Sequence, residues 1–159
     1  MEHSLRPARA DDQDFLYRLY ANTRPEVAGF GWAHEQQEAF LRMQFNAQQR
    51  WYQSAYPAAE HSIITTKQEP IGRVLVAHGK GAATLVDISI LPEYRRHGIG
   101  GAILRDLIWE TSSQEQILRL QVLRTNPAQR LYSRLGFHQT GENEMYLQMA
   151  TRTPGQEKD

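Results

Sequence analysis

The feature that most restricts the fold is a glycine-rich turn between an apolar strand and an amphipathic helix. Residues 84–91 are almost continuously apolar, which predicts a central strand that ends at Pro92. Two arginines and a histidine follow at 95–97, and glycines between 98 and 101 open a helix predicted over 102–111. In such a turn the backbone amides and the helix N-terminus form a cradle for phosphate oxygens, and glycine lets the backbone approach them. The segment therefore predicts an anion-binding helix entry.

The hydrophobic pattern gives the order of elements around that turn. It predicts a strand at 4–8, a helix capped by residues 10–12, a helix at 34–55, strands at 61–66 and 71–77, a strand at 117–123, a helix at 127–135 and a strand at 145–149. The three strands joined by tight turns must be antiparallel. The strands that flank the 102–111 helix must be parallel through a right-handed crossover. The order β-α-α-β-β-β-α-β-α-β thus predicts a mixed α/β sheet covered by helices.

Composition narrows the class of function. No linker interrupts the 159 residues before a polar end, so we predict one domain over 1–150 and a disordered tail over 151–159. The formal net charge of zero gives no electrostatic footprint for nucleic acid or membrane. The absence of cysteine excludes disulfides and a cysteine nucleophile, and the spacing of the six histidines argues against a metal site. No apolar run reaches bilayer length and no signal-like leader is present, so we predict a cytoplasmic location.

Two common phosphate-binding motifs fail at the glycine-rich turn. A P-loop needs Lys-Ser or Lys-Thr after its last glycine, where this chain has Ala102 and Ile103. A dinucleotide-binding fingerprint needs a third small residue where Ile103 stands and an acid at the end of the next strand. A nucleotide- or nucleic-acid-binding protein is therefore disfavoured.

A third motif fits. Residues 95–100, RRHGIG, match R/Q-x-x-G-x-G/A, and residues 126–137, NPAQRLYSRLGF, resemble a helix that carries Asn, Leu-Tyr and Gly-Phe in the same order. With these motifs and the strand ending at 88–95, the chain resembles the GNAT superfamily of N-acetyltransferases from about Leu5 to Met149. Either motif alone would be weak, whereas both in the right order are a strong signal. The resemblance implies a three-layer fold with a splay between the fourth and fifth strands.

The resemblance also implies acetyl-CoA as the cofactor and assigns roles to matching residues. The main chain of Ile88 and Ile90 would receive the pantetheine arm, Asn126 would bind the same region, and Tyr132 would protonate the departing thiolate. A backbone amide near Ile88 would polarise the thioester carbonyl. The diphosphate would be held by the loop residues, which are Arg95, Arg96, His97, Gly98, Ile99, Gly100 and Gly101.

The acceptor, by the same resemblance, is a primary amine of a small molecule or protein that enters between the early helices and the last strands. Candidate residues for that side are Trp32, Gln44, Gln48 and Tyr146. The general base is not assigned, because the positions where relatives carry an acid or histidine are Thr84, Val86 and Gln121 here. Strand alternation points Asp87 away from the face of Ile88, which favours a water chain as the base.

Two functions stay open at this point. The first is an active acetyl-CoA-dependent N-acetyltransferase, and the second is a catalytically silent CoA-binding module that regulates or scaffolds. The loop motif supports both equally. Asn126 and Tyr132 favour the enzyme, whereas the missing base positions favour the module. A homodimer is common among similar folds and is a further expectation.

Overall fold

The computed structural model describes residues 1–152, so all but the first two residues of the predicted tail lie outside the described part. The strands are β1 Ser4–Pro7, β2 Glu60–Thr66, β3 Glu69–His78, β4 Ala82–Ile90, β5 Ile117–Leu123, β6 His138–Glu142 and β7 Tyr146–Ala150. The α-helices are α1 Gln13–Asn22, α2 His34–Ala55, α3 Ile99–Ser113 and α4 Gln129–Arg134. Short 3-10 turns occupy Ala10–Asp12, Pro25–Phe30 and Pro92–Tyr94. The predicted helices and strands are all present, with small shifts at their ends.

The seven strands form one mixed sheet in the order β1-β2-β3-β4-β5-β7-β6. The β2–β3 and β3–β4 pairs are antiparallel and the β4–β5 pair is parallel, as the sequence predicts. β6 is an addition to the predicted order, and it pairs antiparallel with β7. Its sequence, HQTGE, is polar and half-exposed, so it has no hydrophobic alternation from which a strand could be predicted. Its backbone hydrogen bonds to β7 make it a strand.

β4 and β5 are paired over only about half of their length. Their pairing stops at Leu85 and Leu120, whereas β4 continues to Ile90 and β5 to Leu123. On the opposite edge of β4, Val86 is the extra residue of a β-bulge in the β3–β4 register. A bulge bends its strand and increases the local twist, which carries β4 away from β5. The predicted splay between the fourth and fifth strands is confirmed.

The sheet is the middle layer of three. The larger apolar core lies under α3 and α4 and includes the buried Ile103 and Leu118. The smaller core lies under α1 and α2 and includes Leu16, Phe45 and Ile63. Each fully buried aliphatic side chain stabilises the fold by about 1.5–3 kcal/mol relative to its exposed state. Both cores anchor the helices around the gap between β4 and β5, so that gap is held open by rigid elements.

Across residues 1–152, no helix combines the length and the apolar composition that a bilayer crossing requires.

Candidate active site

A cavity of about 760 Å³ opens where β4 and β5 diverge. Its walls come from both strands, from the end of α1 and the middle of α2, and from residues 126–128 before α4. Its lining combines apolar strand residues with a small number of polar and charged side chains, as is typical of small-molecule sites. Ile88, Ile90, Asn126 and Tyr132, all predicted from the sequence to bind or transform the ligand, line this one cavity.

The predicted phosphate cradle forms the entrance to α3. Arg96 and Gly98 have left-handed φ values of 64° and 78°, which turn successive amides toward one side. The first amide of the helix to be bonded belongs to Ala102, which donates to the Gly98 carbonyl at 3.0 Å. Within the described part of the chain, the backbone amides of residues 96–101 donate no hydrogen bond. These free donors and the positive end of the helix dipole form a site for an anion.

The space above this loop is open. A Cβ built on Gly98 would meet no heavy atom within 4 Å, and one built on Gly100 would meet only Ile90 Cδ1, at 3.7 Å. The left-handed backbone at Gly98 explains a glycine there, but no such φ applies to Gly100. The fold alone therefore gives no reason for a glycine at position 100, whereas a diphosphate lying against the backbone does. Arg95 is held beside the loop by donating from Nε to the Ile90 carbonyl at 2.8 Å.

Tyr132 extends from α4 into the cavity wall and is 8% exposed. Its ring packs edge-on against Phe137, with centroids 5.7 Å apart. Burial raises the pKa of its hydroxyl, and the negative charge of Asp87 raises it further. The hydroxyl is therefore protonated at neutral pH. It makes no hydrogen bond to any residue from 1 to 152, which leaves it free to donate to a ligand.

Asn126 combines a structural contact with a free donor group. Its Oδ1 accepts a hydrogen bond from the Ala128 amide at 2.9 Å, which forms an Asx turn just before α4. Its amide nitrogen has no hydrogen-bond partner within residues 1–152 and remains available to a ligand in the cavity.

The predicted acceptor-side residues separate into two pairs. Gln48 and Tyr146 line the cavity. Gln44 does not, and it accepts a hydrogen bond from the Tyr20 hydroxyl at 3.5 Å. Trp32 lies outside the cavity wall too. It packs edge-on against the rings of Phe30 and Phe40, beside a separate, small apolar groove.

A buried ion pair in the cavity wall was not predicted from the sequence. Arg73 of β3 is 3% exposed, and its Nε lies 3.4 Å from Oδ2 of Asp87 on β4. Oδ1 of Asp87 accepts a hydrogen bond from the Ser89 hydroxyl at 2.9 Å, and Oδ2 accepts one from the Tyr52 hydroxyl at 3.4 Å. Asp87 does lie on the face of β4 opposite Ile88, but that face also borders the cavity, on the side of α1 and α2. Strand alternation places Asp87 on the correct face of β4, but it does not exclude Asp87 from the cavity.

Metal ligation has no support in the part of the chain that the structure describes, where no three histidine, aspartate or glutamate side chains cluster in a way that could hold an ion.

An amide-lined anion cradle, a cavity between diverging parallel strands and a buried tyrosine in its wall together fit the site of an acyl-CoA-dependent transferase. Residues 57–139, more than half of the chain, match the model of the acetyltransferase (GNAT) domain. The chain belongs to the GNAT acetyltransferase family. It is an acyltransferase that uses acetyl-CoA and transfers its acetyl group to an amine. No curated protein matches the sequence closely enough to count as a relative.

Solved structures show how widely this fold is shared. A PaiA N-acetyltransferase from Thermoplasma acidophilum, in complex with coenzyme A, superimposes with a TM-score of 0.72 at 18% identity, over 96% of this chain and 99% of that one. The ribosomal-protein-S18-alanine N-acetyltransferase of Escherichia coli gives a TM-score of 0.67 at 20% identity, over 99% and 98%. The ribosomal-protein-S5-alanine acetyltransferase of Vibrio fischeri gives 0.64 at 16%, over 99% and 97%. At these identities the likeness establishes the fold alone.

Proposed function

We propose that this enzyme is an N-acetyltransferase in which the amine attacks the thioester of acetyl-CoA directly, inside the cavity between β4 and β5. The observation that carries the proposal is the row of free backbone amides at residues 96–101, which opens beside a cavity that contains a protonated, unbonded Tyr132 hydroxyl. The acceptor is an amine of a small molecule or protein. Alanine N-acetyltransferases of ribosomal proteins share the fold, which makes peptide N-termini part of any acceptor screen.

The fold supports a particular orientation for the cofactor. β4 has no strand partner toward β5 beyond Leu85, so its edge can pair with an extended pantetheine arm near Ile88 and Ile90. The amides of residues 96–101 would hold the diphosphate, with the positive charges of Arg95, Arg96 and His97 around it, and the amide nitrogen of Asn126 would contact the arm. In this orientation the thioester reaches the part of the cavity that Tyr132 borders.

The proposed chemistry uses three groups of the chain. Acetyl-CoA supplies the acetyl group already activated as a thioester. Asp87 accepts the proton that the ammonium form of the acceptor must lose, because it is the one carboxylate in the cavity wall described by the structure. A backbone amide of the splayed end of β4 near Ile88 polarises the carbonyl oxygen, and Tyr132 donates to the sulfur as the C–S bond breaks. The products are the acetylated amine and the free thiol.

Replacing Asp87 with asparagine is expected to lower kcat/KM at least about 10-fold at pH 7, because an amide cannot accept the ammonium proton. The deficit should shrink as the pH rises past the pKa of the acceptor's ammonium group in solution, which is about 8 for a peptide N-terminus and higher for a free amino acid. The pH profile of thiol release measures both effects. Ser89→Ala is the matched control, since it removes one hydrogen bond to Asp87 but keeps the carboxylate. A deficit that stays constant from pH 6 to pH 10 would contradict the proton-acceptor role.

Thiol release from acetyl-CoA against a panel of amines and short peptides tests the proposed activity, with calorimetry of CoA binding alongside. We expect micromolar binding and release that depends on the acceptor. Binding without release for any acceptor would favour the silent CoA-binding module instead.

Assembly and location remain proposals as well. We expect a homodimer and a cytoplasmic enzyme with a single domain over residues 1–150, in keeping with a chain that lacks cysteine. Light scattering of the purified protein decides the oligomeric state.

A further inference from the structure

The charged side chains that line the cavity are unbalanced. Three are arginines, Arg24, Arg73 and Arg95, and one is an aspartate, Asp87. Arg95 belongs to the cofactor end, where it is tied to the carbonyl of Ile90. On the acceptor side, two guanidinium groups therefore face a single carboxylate.

Arg73 is buried without adequate partners. Its side chain is 4% exposed, yet within residues 1–152 its guanidinium donates no hydrogen bond, and Nε is a buried donor without an acceptor. The contact with Asp87, at 3.4 Å from Nε, is an ion pair without hydrogen-bond geometry. The guanidinium also lies over the Tyr52 ring, 5.2 Å from its centroid. A buried guanidinium normally satisfies its five donors, so its free donors beside a cavity indicate a ligand with acceptor oxygens.

Arg24 presents a second guanidinium group to the same space, and this one has no ion pair. Its Nη1 donates to the carbonyl and the hydroxyl of Thr23, both at 3.3 Å, and its guanidinium lies 5.0 Å from the centre of the Tyr20 ring. No carboxylate lies within 4.0 Å of it anywhere in the described residues. Most of its planar donor edge is therefore unused, and that edge has the geometry that binds a carboxylate.

His61 of β2, which lies close to the ion pair of Arg73 and Asp87, does not change the balance of charges. The pKa of His61 is lowered to about 4, by burial first and then by the charge of Arg73, against smaller opposing effects of Asp87 and Asp12. His61 is therefore neutral at pH 7 and adds no charge of its own. The acceptor side of the cavity carries two positive charges and one negative charge.

We propose that the acceptor is a free amino acid or a similarly small amine that carries a carboxylate, with its carboxylate bound by Arg24 and Arg73 and its ammonium group at Asp87. A zwitterion of this kind complements both signs of charge in the wall. The inference rests on the proposed N-acetyltransfer at the same cavity. A peptide N-terminus fits less well, because its first carbonyl belongs to an uncharged amide and offers the two arginines no negative charge.

The reaction balances with this acceptor. The ammonium group loses one proton to Asp87, the amine nitrogen forms a bond to the acetyl carbon, and the C–S bond breaks. Tyr132 donates a hydrogen bond to the sulfur as it leaves, and the thiolate takes up, through solvent, the second proton that the acylated nitrogen loses. Asp87 returns its proton to solvent, so the net products are the acetylated amine, the free thiol and one proton. Acetylation removes the positive charge of the acceptor but leaves its carboxylate, so the product loses its attraction to Asp87 while the thiol departs.

Matched pairs of acceptors test the charge requirement directly. Thiol release from acetyl-CoA should be measured with L-amino acids, with the corresponding amino acid amides, and with the corresponding decarboxylated amines. We expect kcat/KM for the preferred amino acid to exceed that for its amide and its amine by about 10- to 100-fold, because each lacks the charged group that the two arginines bind. Equal rates for the members of each pair would overturn the inference. Faster thiol release with a peptide that has an N-terminal alanine would overturn it too.

Variants then locate the selectivity. Arg24→Gln should raise KM for the amino acid about 10-fold and KM for the amide by much less, so that the preference between the two shrinks. Arg73→Lys is the second cavity variant. It keeps a positive charge beside Asp87, so the protein is expected to fold, but it loses the planar donors of the guanidinium group. Arg42→Gln is the matched control, because that exposed guanidinium stacks on Tyr17 outside the cavity. A preference that survives in both cavity variants would exclude these arginines.

The outcomes separate this inference from the proposed function. Release with plain amines but not with amino acids would leave an N-acetyltransferase with a different acceptor. Absence of release with every acceptor, despite CoA binding, would remove the proposed activity as well.

Discussion

Replacing Gly100 with valine is expected to weaken CoA binding at least about 100-fold while the protein stays folded. The Cβ itself fits the fold, since its nearest neighbour is Ile90 Cδ1 at 3.7 Å, and valine costs no more than glycine as a helical residue. The added methyl groups would stand above the amides of residues 96–101, in the space that the diphosphate must enter. Calorimetric titration with CoA measures the loss, and thermal unfolding checks the fold.

The matched control for this variant is Gly29→Val. A Cβ on Gly29 also meets no atom within 4 Å, but this glycine lies in the turn before α2 and not in the phosphate cradle. CoA should bind the control as it binds the wild type. Wild-type affinity in the Gly100 variant, or no binding of CoA by the unmodified protein, would refute the cradle and with it the proposed cofactor orientation.

Replacing Tyr132 with phenylalanine is expected to lower kcat about 100-fold while CoA affinity stays within about threefold. The change removes one oxygen and preserves the ring that packs against Phe137 at 5.7 Å. Single-turnover thiol release and calorimetry measure the two quantities. Tyr17→Phe, whose ring lies outside the cavity, is the matched control. Turnover equal to that of the wild type would remove Tyr132 as the acid.

The direction of the Tyr132 pKa shift determines the pH dependence. Burial, together with the charge of Asp87, raises this pKa above the ordinary value of about 10, so the acid form persists through the alkaline range. Wild-type kcat should therefore show no loss from tyrosine ionisation below about pH 10. A thiol has a pKa of only about 8.5, so complete proton transfer to a free thiolate would be uphill. The hydroxyl acts instead while the C–S bond is breaking, by hydrogen bonding to the growing charge on sulfur.

Local patterns were sufficient for most of the fold. The helix predicted over 34–55 and the strand predicted over 117–123 have the same bounds in the structure. Tight turns required antiparallel neighbours, and the helix between β4 and β5 required a parallel pair. β6 was not predicted, because its five residues show no alternation of apolar and polar side chains. It is a strand only because its backbone groups pair with those of β7.

The turn that forms the proposed anion cradle was also predicted from the sequence. Its donors are consecutive main-chain amides, and the residue types that produce such a turn are adjacent in the chain. The residues that line the acceptor side of the cavity were predicted only in part. Of the four candidate residues, Gln48 and Tyr146 line the cavity, whereas Trp32 and Gln44 do not. Helical spacing identifies the residues that share one face of a helix, but it does not identify what that face contacts.

The sequence by itself therefore determined the family and the order of the elements, and it located the glycine-rich turn that we propose holds the cofactor, because each depends on neighbours along the chain. Only the tertiary structure decided which charges meet in the cavity wall. Arg24, Arg73 and Asp87 come from a turn and two different strands, and nothing in the local sequence around any of them indicates the others. Alternation places Asp87 on one face of β4, but the packing of α1 and α2 across that face is what turns it into a wall of the cavity.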